Sequence, residues 1–148
     1  LSGMGTTLTL LKLENPLSYI IHIGDSRLYQ LRENSLSQLT HDHTLPSEQL
    51  RLGQITKEEF NSHTLHHVLI RALGNKKEIT VDKQSFKIQA KDLFLICSDG
   101  LYNSLTKKEI LEILLKDKND PTQTLISNAK DKGGEDNITA VIIKIEQL

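Results

Sequence analysis

Two apolar segments mark strands that we expect to be buried in the fold, and the first of them is the central strand. Leu93–Cys97 contains no polar side chain and then meets Ser98-Asp99-Gly100. Ile138–Ile145 carries apolar side chains at both alternating sets of positions and follows Gly134-Glu135-Asp136-Asn137. Short apolar runs bounded by glycine and acidic residues are typical of strands that are buried on both faces. Each predicted strand therefore has an aspartate at one of its ends.

Shorter apolar segments near the start of the chain predict a meander of antiparallel strands. They are separated by the turn residues Glu14-Asn15-Pro16, Gly24-Asp25-Ser26 and Glu33-Asn34. A later segment, Ile79–Ile88, predicts a strand pair with Val81, Phe86 and Ile88 directed inward. The predicted strands of the meander are Thr6–Leu13, Ser18–Ile23, Leu28–Arg32 and Leu36–Leu39.

Capping patterns predict where the helices begin. Thr106 and Glu109 have the spacing of a capping box, and an apolar stripe that runs from Ile110 to Leu115 follows them. Asp120-Pro121 predicts the start of another helix, with Asp120 as the cap. Two shorter helices are indicated within the polar segment 41–67, by Pro46-Ser47-Glu48 and by the pair Thr56 and Glu59. We interpret 41–67 as a flap-like insertion with little core of its own.

Composition limits the function classes. A chain of 148 residues with 37% hydrophobic and 25% charged residues is long enough for one globular domain. Its net charge of −1 gives no indication of nucleic acid or of an anionic membrane as a partner. No apolar run is long enough to span a bilayer, and no signal peptide is visible. The single cysteine, Cys97, favours a reducing compartment, so we expect a cytoplasmic protein.

The two aspartates at the strand ends suggest a metal site. If the strands are antiparallel neighbours, Asp99 at the exit of one lies next to Asp136 at the entrance of the other. Two carboxylates at one edge repel each other unless a proton or a cation separates them, and oxygen ligands suit Mg²⁺ or Mn²⁺. The simpler alternatives remain open: Asp99 is also a common helix N-cap residue, and Gly24-Asp25-Ser26 is also a plain turn.

Other catalytic templates do not fit the sequence. The Cys-x5-Arg pattern of thiol phosphatases requires an arginine at position 103, which is Asn103. No phosphate-binding Gly-x4-Gly-Lys loop, Asp-x-Asp nucleophile motif or His-Glu-x-x-His motif is present. The competing possibility is a zinc site in the polar insertion. Its candidate ligands are His41, His43, His63, His66 and His67.

Six short motifs together resemble the bacterial metal-dependent protein phosphatases, the type 2C (PPM-type) serine/threonine phosphatases. They occur in the order and with the spacing of that family, and they extend over nearly the whole chain. The segment from Gly53 to His63 also resembles the flap of the family. The six motifs are Gly3–Thr7, His22–Arg27, Leu39–Thr44, Ile70–Gly74, Cys97–Gly100 and Gly134–Thr139.

The resemblance implies an activity and a set of site residues. It implies hydrolysis of phosphoserine and phosphothreonine in phosphorylated proteins by a metal-activated water, with two to three Mn or Mg ions in a complete domain. It assigns Asp99 and Asp136 as ligands of the catalytic metals and Asp25 as a ligand of a third. No catalytic residue beyond the metal ligands is implied. The weak candidates for substrate binding are Arg27, Arg71 and Asn137, and we expect structural roles for the two arginines.

The resemblance also implies that this chain is one part of a larger domain. The family fold is α+β, a four-layer arrangement in which an antiparallel β-sandwich is flanked by helices. We interpret residues 1–148 as a single partial phosphatase domain that lacks its N-terminal part, including upstream metal and phosphate ligands. We therefore expect weak or no activity of the chain alone, and self-association through an exposed sheet edge. The alternative is a non-catalytic pseudophosphatase that acts as a binding or regulatory module.

Overall fold

The computed structural model describes residues 3–74 and 78–147, and within them it contains seven strands and five helices. The strands are β1 (Leu8–Lys12), β2 (Ser18–Ile23), β3 (Arg27–Arg32), β4 (Ser35–Gln38), β5 (Asp82–Phe86), β6 (Leu93–Cys97) and β7 (Ala140–Lys144). The helices are α1 (Leu45–Arg51), α2 (Lys57–Asn61), α3 (Asp99–Ser104), α4 (Lys107–Lys116) and α5 (Pro121–Asp131). Antiparallel sheets with helices confirm the predicted α+β class.

The chain divides into two compact units, and the first consists of Leu1–Ser26 and His41–Phe86. Its sheet has the strand order β1-β2-β5, and both pairings are antiparallel. Helices α1 and α2 belong to this unit. The interior is partly polar, because the side chains of His22 and His43 are almost completely buried.

The second unit consists of Arg27–Thr40 and Lys87–Leu148, and it contains a four-stranded antiparallel sheet of order β4-β3-β6-β7. Helices α3, α4 and α5 share an apolar core with this sheet. The core includes the fully buried residues Leu95, Leu101, Ile110, Leu125 and Ala129. Adjacent residues of β6 point to opposite faces, and both Phe94 and Leu95 are buried. Strand β6 is therefore buried on both faces, as its apolar run predicted.

The predicted meander is wrong in one connection. Strands β2 and β3 follow each other in the chain but do not pair, because β2 pairs with β1 and β5 whereas β3 pairs with β4 and β6. Gly24-Asp25-Ser26 is therefore the link between two sheets and not the turn of a hairpin. The local turn signal is the same in both cases, because it reports a change of direction and not the strand that comes next.

Two further strand predictions need correction. Ile79–Ile88 forms the single strand β5 and not a strand pair, and Ile79 is largely exposed. Ile138–Ile145 forms β7, but β7 lies at the end of the sheet order and Val141 is 47% exposed. An apolar run can therefore mark an edge strand as well as a central one.

The predicted helix starts are confirmed. Both capping boxes form, since Thr56 and Thr106 each accept a hydrogen bond from the backbone N–H three residues later, and the glutamates at those positions accept one in return. Asp120 caps α5, whose first residue is Pro121. Helix α1 begins at Leu45 with proline in its first turn. None of the described helices is long and apolar enough to cross a membrane.

Part of the segment 41–67 is buried in the first unit. Asp42, His43, Thr44 and Ser47 are buried, so the expectation of little core does not hold for this part of the segment. The remainder is more open, and α2 has no buried residue. The flap-like character of 41–67 and the single-domain assignment remain predictions.

A buried ion pair lies at the start of β6, at the other end of the strand from Asp99. The carboxylate of Asp92 is 1% exposed and accepts hydrogen bonds from Arg32 Nε at 2.8 Å and Nη2 at 2.7 Å. Gln30 and the backbone N–H of Gln89 donate to the same carboxylate. Burial raises the pKa of Asp92, but these donors outweigh it and hold the pKa below its usual value.

Candidate metal centre

The strand pairing places the two predicted metal ligands of the second unit at one sheet edge. Strands β6 and β7 are antiparallel, and Cys97 pairs with Ala140 at the end of the ladder. Asp99 follows Cys97 by two residues and begins α3, and Asp136 precedes Ala140 by four residues. The exit of β6 and the entrance of β7 therefore lie side by side, which confirms the geometry predicted from the sequence.

Ser98 joins the two segments directly beyond the ladder. Its hydroxyl donates to the backbone oxygen of Asn137 at 2.9 Å and accepts from the N–H of Thr139 at 3.0 Å. Its own N–H donates to the oxygen of Thr139 at 3.1 Å. One side chain thus satisfies two backbone groups at the position where strand pairing stops. As a result, the loop that carries Asp136 is held against the segment that carries Asp99.

Gly100 allows these two segments to approach closely. A Cβ atom at position 100 would lie 2.6 Å from the backbone oxygen of Asn137 and 3.3 Å from that of Asp136. No real Cβ atom tolerates the first distance, so any larger residue would push the Asp136 loop away.

Asp99 and Asp136 are held in similar ways. Oδ1 of Asp99 accepts the N–H of Gly100 at 2.9 Å, and Oδ1 of Asp136 accepts the N–H of Asn137 at 2.6 Å. Ser98 occupies the N-cap position of α3, and no side chain forms a capping hydrogen bond there. The simpler interpretation of Asp99 as the N-cap residue is therefore wrong.

A polar cavity of about 540 Å³ opens beside Asp136. Its one basic residue is Lys132, whose ammonium group forms an ion pair with Glu109. Asp99 is not part of the lining. The cavity is lined by Gly100, Asn103, Ser104, Lys132, Gly134, Glu135 and Asp136.

The third predicted ligand, Asp25, lies in the first unit. It directly follows Gly24, whose backbone is bound by His43: the N–H of His43 donates to the oxygen of Gly24 at 2.8 Å. The N–H of Gly24 in turn donates to Nδ1 of His43 at 3.1 Å. The segment that carries Asp25 is thus fixed by a buried side chain, for which the sequence pattern offered no specific signal.

The two candidate arginines are engaged by other side chains. The guanidinium of Arg27 lies 3.5 Å from the centre of the Tyr102 ring and donates to the hydroxyl of Tyr29 at 3.0 Å. Arg71 donates to Asp82 at 2.8 Å. These contacts support the structural roles that we expected for both. The third substrate-binding candidate, Asn137, is exposed in the loop next to Asp136.

The histidines of 41–67 are of two kinds. His43 is completely buried, although we expected little core in this segment, whereas His66 and His67 are exposed. His66 contacts the Phe60 ring edge-on, with centroids 4.9 Å apart. Within residues 3–74 and 78–147, no group of three or more His, Cys, Asp or Glu side chains is arranged to hold a metal ion. The described histidines therefore form no zinc site.

The donor chemistry at the β6–β7 edge fits Mg²⁺ or Mn²⁺ in type but not in number. Asp99 and Asp136 offer only oxygen ligands, and the cavity leaves room for water. Two carboxylates are too few for a tight site with two ions. The sequence indicated both aspartates but gave no signal for the contacts of Ser98 and His43, because these contacts depend on segments that are distant in the chain.

Relatives and solved structures resemble this chain along almost its whole length. The serine/threonine phosphatase Stp of Listeria welshimeri is 40% identical over 146 residues, which are 97% of this chain and 58% of the relative. The crystal structure of the Mycobacterium tuberculosis serine/threonine phosphatase PstP/Ppp superposes with a TM-score of 0.92 and 37% identity. That match covers 99% of this chain and 63% of the other.

A structure of the catalytic domain of PstP in complex with two manganese ions matches with a TM-score of 0.87 and 36% identity, over 99% of this chain and 61% of that chain. No family model matches the sequence. The chain spans about three fifths of the length of the relatives that it matches. Together with the motifs and the fold, these similarities show that the chain belongs to the PPM-type family of bacterial serine/threonine phosphatases.

Proposed function

We propose that the protein hydrolyses phosphoserine and phosphothreonine in phosphorylated proteins, in a reaction that depends on Mn or Mg. The observation that carries the proposal is the pairing of β6 with β7, which together with Ser98 holds the segment of Asp99 beside the loop of Asp136. These residues stand where the motifs of the family have metal ligands. Two neighbouring carboxylates repel each other unless a proton or a cation separates them, so this arrangement suits a divalent cation.

Each predicted residue has a distinct task in this proposal. Asp99 and Asp136 hold the catalytic ions, and Asp25 in the first unit supplies a ligand for a further ion. When bound, the metal ions would activate a water molecule and neutralise charge on the phosphoryl oxygens. Ser98 and Gly100 keep the two carboxylate segments at a fixed separation. Arg27 and Arg71 stabilise the fold, whereas Asn137 remains a candidate for substrate binding.

We further propose that these 148 residues are inactive or weakly active on their own. The carboxylates that the chain offers are too few for a binuclear site, and the chain matches only about three fifths of its relatives. Strand β1 lies at the end of its sheet, and Leu8 and Leu10 are each 40% exposed. Such an edge favours self-association of the isolated chain. Because the sequence contains one cysteine and can form no internal disulfide, we propose a cytoplasmic location.

The decisive experiment measures Mn-dependent hydrolysis of a phosphothreonine peptide. The 148-residue chain is assayed beside the whole protein that contains it, each with and without Asp99→Asn. We expect activity only in the whole protein and its loss in Asp99→Asn. Activity in neither form would support the pseudophosphatase alternative. Activity of the short chain that disappears in its Asp99→Asn version would show that the ligand count given above is wrong.

A further inference from the structure

The peptide unit on each side of Gly24 is bound by one residue, His43. The backbone N–H of His43 donates to the oxygen of Gly24 at 2.8 Å, and Nδ1 of His43 accepts the N–H of Gly24 at 3.1 Å. On the other side of Asp25, the hydroxyl of Thr9 donates to the backbone oxygen of Ser26 at 2.9 Å. The turn is thus fixed immediately before and immediately after Asp25.

The hydrogen bond from Gly24 determines which nitrogen of His43 carries the proton. A backbone N–H can only donate, so Nδ1 must be unprotonated and the ring proton must be on Nε2. Nε2 faces Oδ2 of Asp82 at 3.1 Å, a contact that is electrostatic rather than a well-aligned hydrogen bond. Oδ1 of Asp82 accepts from Arg71 at 2.8 Å. Arg71, Asp82 and His43 therefore form a chain of contacts that ends at Gly24.

Packing alone does not explain a histidine at this position. The side chain of His43 is completely buried, and its ring lies 4.9 Å from that of the buried His22. Burying a polar ring costs free energy that an apolar side chain of similar size would avoid. Burial is also the main reason that the pKa of His43 is lowered, which keeps the ring neutral and Nδ1 able to accept.

Gly24 cannot be replaced by another residue without strain. It has a φ of +107°, and a Cβ atom at this position would collide with the Thr7 side chain. Because His43 binds both the N–H and the oxygen of Gly24, it holds the two peptide units that directly precede Asp25.

We propose that His43 is a positioning residue for Asp25, acting through both hydrogen bonds to Gly24 with its ring oriented by Asp82 and Arg71. The inference rests on the proposed function, because it gives Asp25 a task as a metal ligand. Residues that orient a metal ligand typically change the metal affinity about 10- to 100-fold when they are replaced. His43 has no contact with the phosphoryl group in this account and is not a catalytic residue.

The first test uses the unmodified 148-residue chain and requires neither metal nor activity. A long-range proton–nitrogen spectrum of the histidine rings reports which nitrogen is protonated, and hydrogen exchange reports the protection of the Gly24 amide. We expect a neutral ring protonated at Nε2 and a Gly24 amide that exchanges slowly for a turn residue. A proton on Nδ1 would overturn the proposal.

The second test compares two substitutions that each keep one half of the ring. In His43→Asn the side-chain oxygen takes the place of Nδ1 and can still accept from Gly24, whereas in His43→Gln the polar atoms reach Asp82 instead. We expect His43→Gln to weaken Mn²⁺ binding of the whole protein about tenfold, as measured by electron paramagnetic resonance, and His43→Asn to retain most of it. Equal losses, or a larger loss in His43→Asn, would indicate packing only.

Asp25→Asn separates the failure of this inference from the failure of the proposed function. If Asp25→Asn leaves Mn²⁺ affinity unchanged, the assignment of Asp25 as a ligand is wrong. If Asp25→Asn weakens binding but His43→Gln does not, Asp25 is a ligand and the positioning role of His43 is wrong. Thermal unfolding of each variant shows that the compared proteins are folded, and the ring spectrum of the unmodified chain decides the matter if either variant is not.

Discussion

The two units hold their aspartates by different physical means. In the second unit, the Asp99 and Asp136 segments are brought together by the antiparallel pairing of β6 and β7, the hydroxyl of Ser98 and the missing side chain of Gly100. In the first unit, Asp25 lies in a link between two sheets that is held by a buried histidine. One arrangement relies on backbone pairing and small residues, and the other relies on a polar network.

The difference matters because the two means respond to different perturbations. Backbone pairing and close contact are insensitive to pH but do not tolerate added volume. A buried imidazole depends in addition on its protonation state. We therefore expect steric substitutions to disable the β6–β7 edge and acid to weaken the Gly24 turn.

The largest effect is expected from Gly100→Ala, which adds a side chain at the closest contact of the β6–β7 edge. Alanine is the better helix former, so the substitution should stabilise α3 if only local propensity mattered. Instead, the new Cβ atom would meet the backbone oxygen of Asn137 at 2.6 Å and displace the Asp136 loop. We expect Mn-dependent activity of the whole protein to fall by about 100-fold, the upper range for a displaced ligand.

A matched control uses an exposed helix residue away from the cavity, Lys108→Ala in α4, and it should leave activity unchanged. Gly100→Ala is assayed for activity and for thermal unfolding, since the proposed defect concerns geometry more than folding. Full activity in Gly100→Ala would mean that the Asp136 loop can move without consequence. The β6–β7 edge would then not depend on the close contact at Gly100.

The second prediction compares the two ends of β6. Asp92 is buried and fully paired at one end, whereas Asp99 is partly exposed at the other. Arg32→Met should leave the Asp92 carboxylate buried without its cation, and removal of one partner of a buried pair costs several kcal/mol. Because Arg32 is about one third exposed and Gln30 and Gln89 still donate, we expect about 2 kcal/mol in urea unfolding.

Acid should reduce this cost, which provides the internal check. The pKa of Asp92 is lowered in the folded chain, so its contribution is present above the unfolded value of 3.8 and disappears as the pH falls through the folded value. The double variant Arg32→Met, Asp92→Leu should recover most of the lost stability. A single variant as stable as the unmodified chain at neutral pH would show that Asp92 does not depend on Arg32.

The third prediction concerns the pH sensitivity of the polar network in the first unit. Burial lowers the pKa of both His22 and His43 below the ordinary value of 6.5. The unfolded chain then binds more protons than the folded chain below pH 6.5, so stability is complete above that pH and declines as the pH falls toward the folded values. Each histidine contributes at most about 1.4 kcal/mol per pH unit in that window.

The measurement is the urea midpoint of the 148-residue chain between pH 7.5 and 5.5, with hydrogen exchange at Gly24 followed over the same range. The carboxylates of Asp82 and Asp42 oppose the lowering of these pKa values, whereas Arg71 and His41 add to it at His43. Burial is the largest cause for both rings. Replacement of His22 by Asn should flatten the profile in part. A midpoint that is constant across this range would show that the polar network does not carry the pH dependence assigned to it.

The sequence could predict the features that depend on local patterns, but not those that depend on contacts between distant segments. The apolar segments Leu93–Cys97 and Ile138–Ile145 predicted β6 and β7, because strand formation follows from local periodicity. Their pairing entered only as a condition, which the structure fulfils. The capping boxes at Thr56 and Thr106 were equally local. The hydrogen bonds between Gly24 and His43 join residues that are 19 positions apart in the chain. The hydrogen bonds of a buried histidine leave no periodic signal in the sequence.

The switch from β2 to β3 was missed for the same reason. A turn sequence such as Gly24-Asp25-Ser26 records that the chain changes direction, whereas the choice of partner strand depends on which sheet buries each apolar face. Ser98 was read only as part of a family motif, although its hydroxyl connects residues 39 and 41 positions away. Side-chain contacts between segments that are distant in the chain must therefore come from the structure.

The smallest effect is expected at the rim of the cavity beside Asp136, where Lys132 pairs with Glu109. The hydrogen bond from Lys132 is the main reason that the pKa of Glu109 is lowered to about 2, and Thr106 contributes through the capping box. Both partners are exposed to solvent, so Lys132→Ala should change unfolding only slightly. Carbon-detected titration of Glu109 should nevertheless show its pKa rising toward, but not reaching, the ordinary value of 4.5, because Thr106 still donates.

Lys116→Ala, which removes the ion-pair partner of Glu112, is the matched control and should leave the Glu109 titration unchanged. An unshifted Glu109 pKa in Lys132→Ala would mean that the ion pair between Lys132 and Glu109 does not form in solution.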